Sequence, residues 1–292
     1  MRRSGFNERA ALAGRRLRLD LGSFHLLHYR RVDGFLVTAK NSGAHWLRFM
    51  MSHALAHELG LPPPVRSSGR ASDDFIGHPQ WGRRHAAAPF IGSSHNLPSR
   101  LFAWPAVRRS LRSPPIVVLV RDIEQAMLSH YLKWREPLGL DLRAYARTPA
   151  PGRRDLADVW WYVEFFNRWG RMAVTFPDEV MVVRYEDLAA DRAHWLGAIF
   201  DHFGVGVSRP SIEAAARLAD KATVRAFLDP DYGEAIVPDA AERAAIRFEE
   251  ADRDHLRRLL AAHLEHALGY DPFAPAAFAA PADVGRAAAG SI

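Results

Sequence analysis

Residues 34–47 read GFLVTAKNSGAHWL. An apolar run leads into a short polar loop and an amphipathic stretch follows, which predicts a strand, a loop and a helix in that order. Gly43 permits a tight turn whose backbone N–H groups point at an anion. The helix after the loop adds the positive end of its dipole, and Lys40 adds a mobile positive charge. This stretch therefore predicts a P-loop-like site for a phosphorylated or sulfated ligand.

The loop differs from a Walker A sequence, in which the lysine follows the second glycine, because Lys40 precedes Gly43. It resembles the 5′-phosphosulfate loop of sulfotransferases that use 3′-phosphoadenosine-5′-phosphosulfate (PAPS). The usual pattern of that loop is Pro-Lys-Ser-Gly-Thr-Thr-Trp, and Ser42, Gly43 and Trp46 match it. The resemblance implies that residues 40–46 bind the 5′-phosphosulfate.

The loop departs from the family pattern at four positions. On this alignment the family lysine falls on Asn41, and Lys40 replaces the proline. Ala44 and His45 replace the two threonines, so two hydroxyl donors to phosphate are missing. The chain has 39 Lys and Arg residues together, of which three are lysines, and Lys40 is one of them. Either Lys40 does the work of the family lysine from a slightly different loop geometry, or Asn41 donates to the phosphate and Lys40 is solvated.

A second motif lies at residues 116–134, which read IVVLVRDIEQAMLSHYLKW. A continuous β-branched strand ends at Arg121, a helix begins at once, and Ser129 follows eight residues later. This spacing resembles the family's 3′-phosphate site, where an Arg gives charge-assisted contacts and a Ser adds a neutral donor. The alternative is an ion pair of Arg121 with Asp122 or Glu124 and a serine on the helix surface.

A third motif follows the second predicted strand, where residues 93–98 read SSHNLP. It resembles the family segment Lys-Thr-His-Leu-Pro with one extra residue, and Ser93 stands where a second catalytic lysine would be. A histidine suits proton transfer because its ordinary pKa lies near neutrality. The resemblance implies that His95 is the general base, and His45 inside the loop is the alternative.

Residues 182–188 read VVRYEDL and resemble the family's strand-end Tyr-Glu-Asp segment. The resemblance implies that Tyr185 reaches the adenosine and that Trp46 packs near the adenine. A plain helix start at Glu186 and Asp187 is equally consistent with these residues. The family's C-terminal Arg-Lys-Gly phosphate loop has no counterpart, and residues 221–225 are candidates for part of that contact.

The composition is that of an ordinary globular protein, with 48% hydrophobic and 25% charged residues. A net charge of +6 favours anionic ligands or surfaces. No block of five or more basic residues and no nucleic-acid motif is present, so we expect no nucleic-acid partner. The lack of cysteines fits a cytoplasmic location and excludes thiolate metal sites. The sequence contains no run of about 18 apolar residues, so it predicts no membrane span.

Alternating strands and helices predict a three-layer α/β/α domain with a central parallel sheet. We expect a basic segment at 1–30, a single domain at 31–272 and an Ala/Pro-rich tail at 273–292. Strands are expected at 35–39, 89–94, 115–120 and 180–183. Helices are expected at about 46–59, 123–135, 156–172, 191–203, 211–227 and 240–268, with a long loop at 64–88 and a Pro/Arg-rich segment at 136–155.

The resemblance implies transfer of a sulfuryl group from PAPS, as co-substrate, to an acceptor hydroxyl, with no metal required. The acceptor could be a glycan, a glycolipid or a small alcohol or phenol, and candidate walls of its pocket are Trp81, Trp160 and Trp161. Two other interpretations stay open. One is a small-molecule or nucleoside kinase that needs Mg²⁺, and the other is a non-catalytic relative that binds a nucleotide or an acidic glycan.

Overall fold

The computed structural model describes Gly14 and residues 30–67, 72–111, 113–148, 156–227 and 245–271. A four-stranded sheet forms its centre, in the order β2-β1-β3-β4, and all neighbouring strands are parallel. The strands are β1 (Gly34–Thr38), β2 (Ile91–Ser94), β3 (Ile116–Val120) and β4 (Val180–Arg184). The central parallel sheet confirms the expected fold class.

Helices follow each strand and cover the sheet. In chain order they are α1 (Ala44–Glu58), α2 (Pro105–Leu111), α3 (Ile123–Leu138), α4 (Leu142–Arg147), α5 (Val159–Thr175), α6 (Tyr185–Ala190), α7 (Arg192–His202), α8 (Arg209–Leu218), α9 (Lys221–Ala226) and α10 (Glu250–His263). Short 3₁₀ turns occur at Pro79–Trp81 and Arg100–Ala103. Within the described part of the chain, no helix has the length and apolar character needed to cross a membrane.

Alternate residues of the inner strands pack on opposite faces of the sheet. In β1, Phe35 and Val37 join a hydrophobic cluster with α3, α5 and α10, whereas Leu36 joins a second cluster with α1, α7 and α8. Strand β3 divides in the same way, and its side chains are fully buried. Continuous apolar strands are expected where helices cover both faces of a parallel sheet. The three-layer arrangement is therefore confirmed.

Several element boundaries differ from the prediction for local reasons. Helix α4 lies inside the Pro/Arg-rich segment at 136–155, where no helix was expected, and Asp141 caps it by accepting a hydrogen bond from the backbone N–H of Ala144. The expected helix at 211–227 is divided into α8 and α9, because Asp220 accepts from the backbone N–H of Thr223 and starts a new helix. Apart from Gly14 and Arg30, the expected segments 1–30 and 273–292 lie outside the described residues.

A buried ion pair anchors the long connection at 64–88 to α1. Arg48 Nη2 lies 3.0 Å from Asp74 Oδ2, and Arg48 Nε donates to the carbonyl oxygen of Ile76 at 2.9 Å. The other oxygen of Asp74 accepts from Ser67 Oγ at 2.5 Å. The exposed fraction is 8% for Arg48 and 1% for Asp74. The connection is thus fixed to the helix that follows the predicted phosphate loop.

We predict that Asp74→Ala lowers the free energy of unfolding by about 3–5 kcal/mol, because it removes the carboxylate from a buried guanidinium. Urea denaturation followed by circular dichroism measures the change. The matched control is Glu213→Ala, which removes the partner of Arg209 in a pair whose arginine side chain is 89% exposed. It should cost far less than Asp74→Ala, because solvent screens an exposed pair. Equal costs for the two variants would contradict the anchoring role of Asp74.

Candidate functional site

The parallel sheet brings the carboxyl ends of its strands to one edge. The residues that follow β2, β1, β3 and β4 are, in that spatial order, His95, the loop 39–43, Arg121 and Tyr185. The loop therefore lies centrally, with His95 on one side and Arg121 on the other. The chain leaves β1 toward β2 and later returns to β3 on the opposite side of β1. In open α/β sheets, ligands bind at such a switch point.

The loop after β1 has a left-handed backbone at two positions. The φ angle is 59° at Asn41 and 93° at Gly43. The backbone N–H of Ser42 donates to the carbonyl oxygen of Ala39 at 3.3 Å, which closes a turn whose third residue is Asn41. A Cβ atom at Gly43 would lie 2.7 Å from the Tyr185 ring. Gly43 is thus required both by its backbone conformation and by this ring.

The start of α1 has no capping side chain among the described residues. Its first turn also has no acidic residue. Helices α3, α4, α5 and α7 each begin instead with a capping aspartate. In addition, Ser42 Oγ and Arg121 Nε are buried without a hydrogen-bond partner among the described residues. An anion at this helix start would meet a positive dipole and supply an acceptor to Ser42 Oγ, and a second anionic group beside Arg121 would do the same for its Nε atom.

Helix α5 fixes Lys40 at both its main chain and its side chain. The Tyr162 hydroxyl donates to the carbonyl oxygen of Lys40 at 3.1 Å, and Lys40 Nζ lies 5.1 Å from the centroid of the Trp161 ring. Lys40 is 9% exposed. Its positive charge lowers the pKa of both His95 and His130. The charge of the ammonium group therefore acts on both imidazoles.

The side chain of Asn41 is turned toward α3. Its Nδ2 atom donates to the carbonyl oxygen of Ser129 at 3.4 Å, and its Oδ1 atom lies 2.8 Å from His130 Nδ1. Arg121 Nη1 donates to the carbonyl oxygen of Asn41 at 3.4 Å. Both polar groups of the Asn41 amide therefore have protein partners. Arg121 and the main-chain carbonyl of Ser129 thus both form hydrogen bonds with Asn41.

Aromatic rings border the loop on the side of Arg121. The Arg121 guanidinium lies 4.7 Å from the centroid of the Tyr185 ring, and the Tyr185 ring lies 5.6 Å from the Trp46 ring. Trp46 Nε1 donates to the carbonyl oxygen of Ala219 at 2.9 Å. This contact brings the chain just before α9, and with it the candidate segment 221–225, toward the aromatic pair.

His95 lies on the opposite side of the loop. Its Nδ1 atom lies 2.9 Å from both the carbonyl oxygen and the hydroxyl of Thr38. Because a carbonyl only accepts, Nδ1 carries a hydrogen, and Nε2 keeps its lone pair in the neutral ring. The surrounding protein lowers the pKa of His95 to about 4, and the charge of Lys40 also lowers it. The side chain is nevertheless exposed to solvent.

The pKa of His95 therefore lies below the near-neutral value of an ordinary histidine. The other candidate, His45, is half-buried, and burial lowers its pKa well below the ordinary value. Lys133 adds to the lowering of the pKa of His45, His95 and His130. The charge of Lys133 therefore acts on all three of these histidines. The sequence signal for Lys133 is its position four residues after Ser129, on the same face of α3.

The three tryptophans predicted as pocket walls lie in different places. Trp161 contacts the site through the Lys40 ammonium. Trp160 packs edge-on against His263 of α10, with 4.9 Å between ring centroids. Trp81 is 48% exposed and lies over Gly77, where a Cβ atom would be 2.5 Å from the indole. Of these three tryptophans, Trp161 is the one whose contacts connect it to the site.

The alternative ion pairs of Arg121 are not formed among the described residues. Glu124 Oε1 lies 3.0 Å from Arg253 Nε. Asp122 accepts from the backbone N–H of Gln125 at 2.9 Å and caps α3. Burial raises the pKa of Asp122 to about 6, and the charges of Glu124 and Glu186 add to this effect. Arg121 is thus flanked by a carboxylate that is costly to ionise.

The chain matches the sulfotransferase family over residues 19–209 and belongs to that family. Its fold is similar to that of mouse sulfotransferase SULT7A1, solved in complex with 3′,5′-adenosine bisphosphate (PAP). The TM-score is 0.52 at 14% identity, covering 84% of this chain and 90% of that chain. It is also similar to retinol dehydratase in complex with retinol and PAP, with a TM-score of 0.50, 15% identity and coverage of 82% and 84%. No curated protein matches the chain in sequence.

We predict that Asp122→Asn stabilises the protein at about pH 8 by about 1–3 kcal/mol and has little effect near pH 4. The folded Asp122 binds its proton up to a pKa of about 6, whereas the unfolded residue releases it near its ordinary value. Asp122 therefore lowers stability as pH rises through this interval, and asparagine retains the cap without the charge. Urea denaturation at both pH values measures this, and a pH-independent difference would contradict it.

Proposed function

We propose that this member of the sulfotransferase family transfers the sulfuryl group of PAPS to the hydroxyl group of an acceptor. The observation that carries the proposal is the sheet edge where an uncapped helix start, Lys40 and two buried partnerless polar atoms surround one loop. The two similar structures solved with PAP support the same class of nucleotide. The cysteine-free sequence fits the cytoplasmic location that we propose for the protein.

The 5′-phosphosulfate would bind the loop 40–46, where the backbone N–H groups at the start of α1 meet it. Lys40 would act as the family lysine, because the Asn41 amide is occupied by Ser129 and His130. Arg121 and Ser129 would bind the 3′-phosphate that distinguishes this nucleotide. The remaining contacts, by Tyr185 and Trp46, would be to the adenosine.

In the proposed reaction, the acceptor oxygen forms a bond to sulfur while the bond between sulfur and the 5′-phosphate oxygen breaks. The acceptor hydroxyl proton passes to Nε2 of His95, the ring nitrogen that holds a lone pair. Lys40 and the loop N–H groups stabilise the negative charge that grows on the departing phosphate oxygen. The negative phosphosulfate opposes the effect of Lys40 on the pKa of His95 and so strengthens the base.

The acceptor would enter beside His95, between the phosphate loop and the neighbouring β2 edge. Retinol dehydratase was solved with retinol, a small molecule, which makes a small alcohol one acceptor class to test. Phenols, glycans and glycolipids are the other acceptor classes. Trp161 would contribute an apolar wall next to Lys40.

We predict that 3′,5′-adenosine bisphosphate (PAP) stabilises the protein much more than 5′-AMP does, because PAP carries the 3′-phosphate that Arg121 would bind. A ligand at 100 times its Kd adds about 2.7 kcal/mol, which a thermal-shift assay detects. Arg121→Ala should weaken PAP binding by about 2–4 kcal/mol and leave 5′-AMP binding nearly unchanged. Equal shifts with PAP and 5′-AMP would remove the 3′-phosphate assignment, and a larger shift with ATP would favour a kinase.

We predict that His95→Ala lowers kcat by about 10²–10⁴-fold while the Kd for PAP stays nearly unchanged, as expected for loss of a general base. Turnover of radiolabelled PAPS on an accepted hydroxyl compound measures kcat, and calorimetry measures the Kd. The matched control is His45→Ala. If that variant loses turnover while His95→Ala retains it, the base is His45.

We predict that Lys40→Met reduces single-turnover sulfate transfer far more than it reduces PAP affinity, because its contact strengthens as charge develops. Asn41→Ala tests the competing assignment and should affect the chemical step less. Full transfer activity in Lys40→Met would exclude Lys40 from the role. Nucleotide binding without turnover on any acceptor class would support the non-catalytic interpretation.

A further inference from the structure

Asn41 occupies the bend of the phosphate loop in a conformation that few side chains tolerate. Its φ angle of 59° lies in the left-handed region, which asparagine visits more readily than other residues with a Cβ atom. The carbonyl oxygen of Asn41 accepts from Arg121, and its side chain contacts Ser129 and His130. The conformation of this one residue thus connects both halves of the proposed nucleotide site.

The hydrogen bonds of His130 define which ring nitrogen carries the proton. The backbone N–H of Ala157 donates to His130 Nε2 at 2.9 Å, so Nε2 is an acceptor. In the neutral ring, Nδ1 therefore carries the hydrogen and donates to Asn41 Oδ1 at 2.8 Å. This donation fixes the amide of Asn41, whose Nδ2 then faces the carbonyl oxygen of Ser129.

The surroundings of His130 keep it in this state. Its side chain is fully buried between α3 and the segment that leads into α5. Burial lowers the pKa of His130 to about 3, and the charges of Lys40 and Lys133 also lower it. The ring is therefore neutral throughout the physiological range, with one donor and one acceptor, both of them used. A charged ring would have no acceptor for the Ala157 N–H.

We propose that His130 is a positioning residue that holds Asn41, and with it the phosphate loop, in the shape that binds the nucleotide. The proposal rests on the function proposed above, because it takes the loop as the 5′-phosphosulfate site. It assigns the Asn41 side chain to a clamp instead of to the phosphate. It also gives a physical reason why an asparagine stands where the family pattern has a lysine: a lysine has no acceptor for the Nδ1–H of His130.

Two substitutions separate the two nitrogens of the ring. In His130→Asn, the amide NH₂ can replace the Nδ1 donor toward Asn41 and leaves the Ala157 N–H without its partner. In His130→Gln, the longer side chain can replace the Nε2 acceptor toward Ala157 and leaves Asn41 Oδ1 without its donor. His130→Phe fills the space and replaces neither contact. Thermal unfolding of each variant reports its stability separately from its affinity.

The test is the Kd for PAP, measured by calorimetry for the full chain and these variants. We expect His130→Asn to stay within about threefold of the unmodified chain, and His130→Gln and His130→Phe to bind about five- to tenfold more weakly. This order should hold even where His130→Asn is the less stable protein. Affinities that follow stability, or that are equal in all variants, would overturn the clamp. Failure of the unmodified chain to bind PAP would instead overturn the proposed function, and this inference with it.

A double-mutant cycle with Asn41→Gly checks the same contact from the other side. Glycine adopts the left-handed backbone without a clamp, so adding His130→Gln to Asn41→Gly should cost less than about twofold in PAP affinity. A full additional loss would show that His130 acts elsewhere. Nitrogen-15 NMR of labelled histidines should show His130 with hydrogen on Nδ1 and without titration between about pH 5 and pH 8. Hydrogen on Nε2, or titration in that range, would contradict the assignment.

Discussion

The parallel alignment of four strands is the constraint on which the rest of the site depends. Because β2, β1, β3 and β4 all point the same way, segments far apart in the chain end at one edge of the sheet. The candidate base His95, the loop 39–43 and Arg121 therefore lie side by side along this edge. Helices on both faces bury the strands and hold them in two hydrophobic clusters.

The loop at the centre of this line is shaped by its neighbours more than by its own sequence. Tyr185 leaves no room for a side chain at Gly43, Tyr162 holds the main chain at Lys40, and His130 holds the side chain of Asn41. None of these contacts uses a charge that the ligand needs. In the proposed function, the positive charges of Lys40 and Arg121 and the uncapped start of α1 would face the anionic nucleotide.

The sequence was sufficient for the fold class and for the four segments at the sheet edge, because each carries a local signal. Continuous apolar runs identify β1 and β3, Lys40 and Arg121 directly follow apolar stretches, and Tyr185 follows Arg184 at the end of another. The resemblance of their spacing to the family's 3′-phosphate site paired Arg121 with Ser129. In the structure, Arg121 and the carbonyl oxygen of Ser129 both contact Asn41. The spacing of the two residues in the sequence could not predict this shared contact.

Contacts between distant residues could not be predicted in this way. Asn41 and His130 are separated by 89 positions, and nothing local indicates that their side chains meet. The lowered pKa of His95 depends on surrounding protein and on Lys40, neither of which is visible in the motif SSHNLP. The position of Lys133 near the site can be predicted only after α3 is known to face the loop. The buried pair of Arg48 and Asp74 likewise joins two segments that show no pattern in common.

The most direct test of the account is a crystal structure of the protein with PAP bound. The account predicts that the 5′-phosphate lies against the loop 40–46 at the start of α1, with the 3′-phosphate within hydrogen-bond distance of Arg121 and Ser129. The adenine should then lie on the side of Trp46 and Tyr185, away from His95. A nucleotide bound at another edge of the sheet, or with its two phosphates exchanged, would contradict the account.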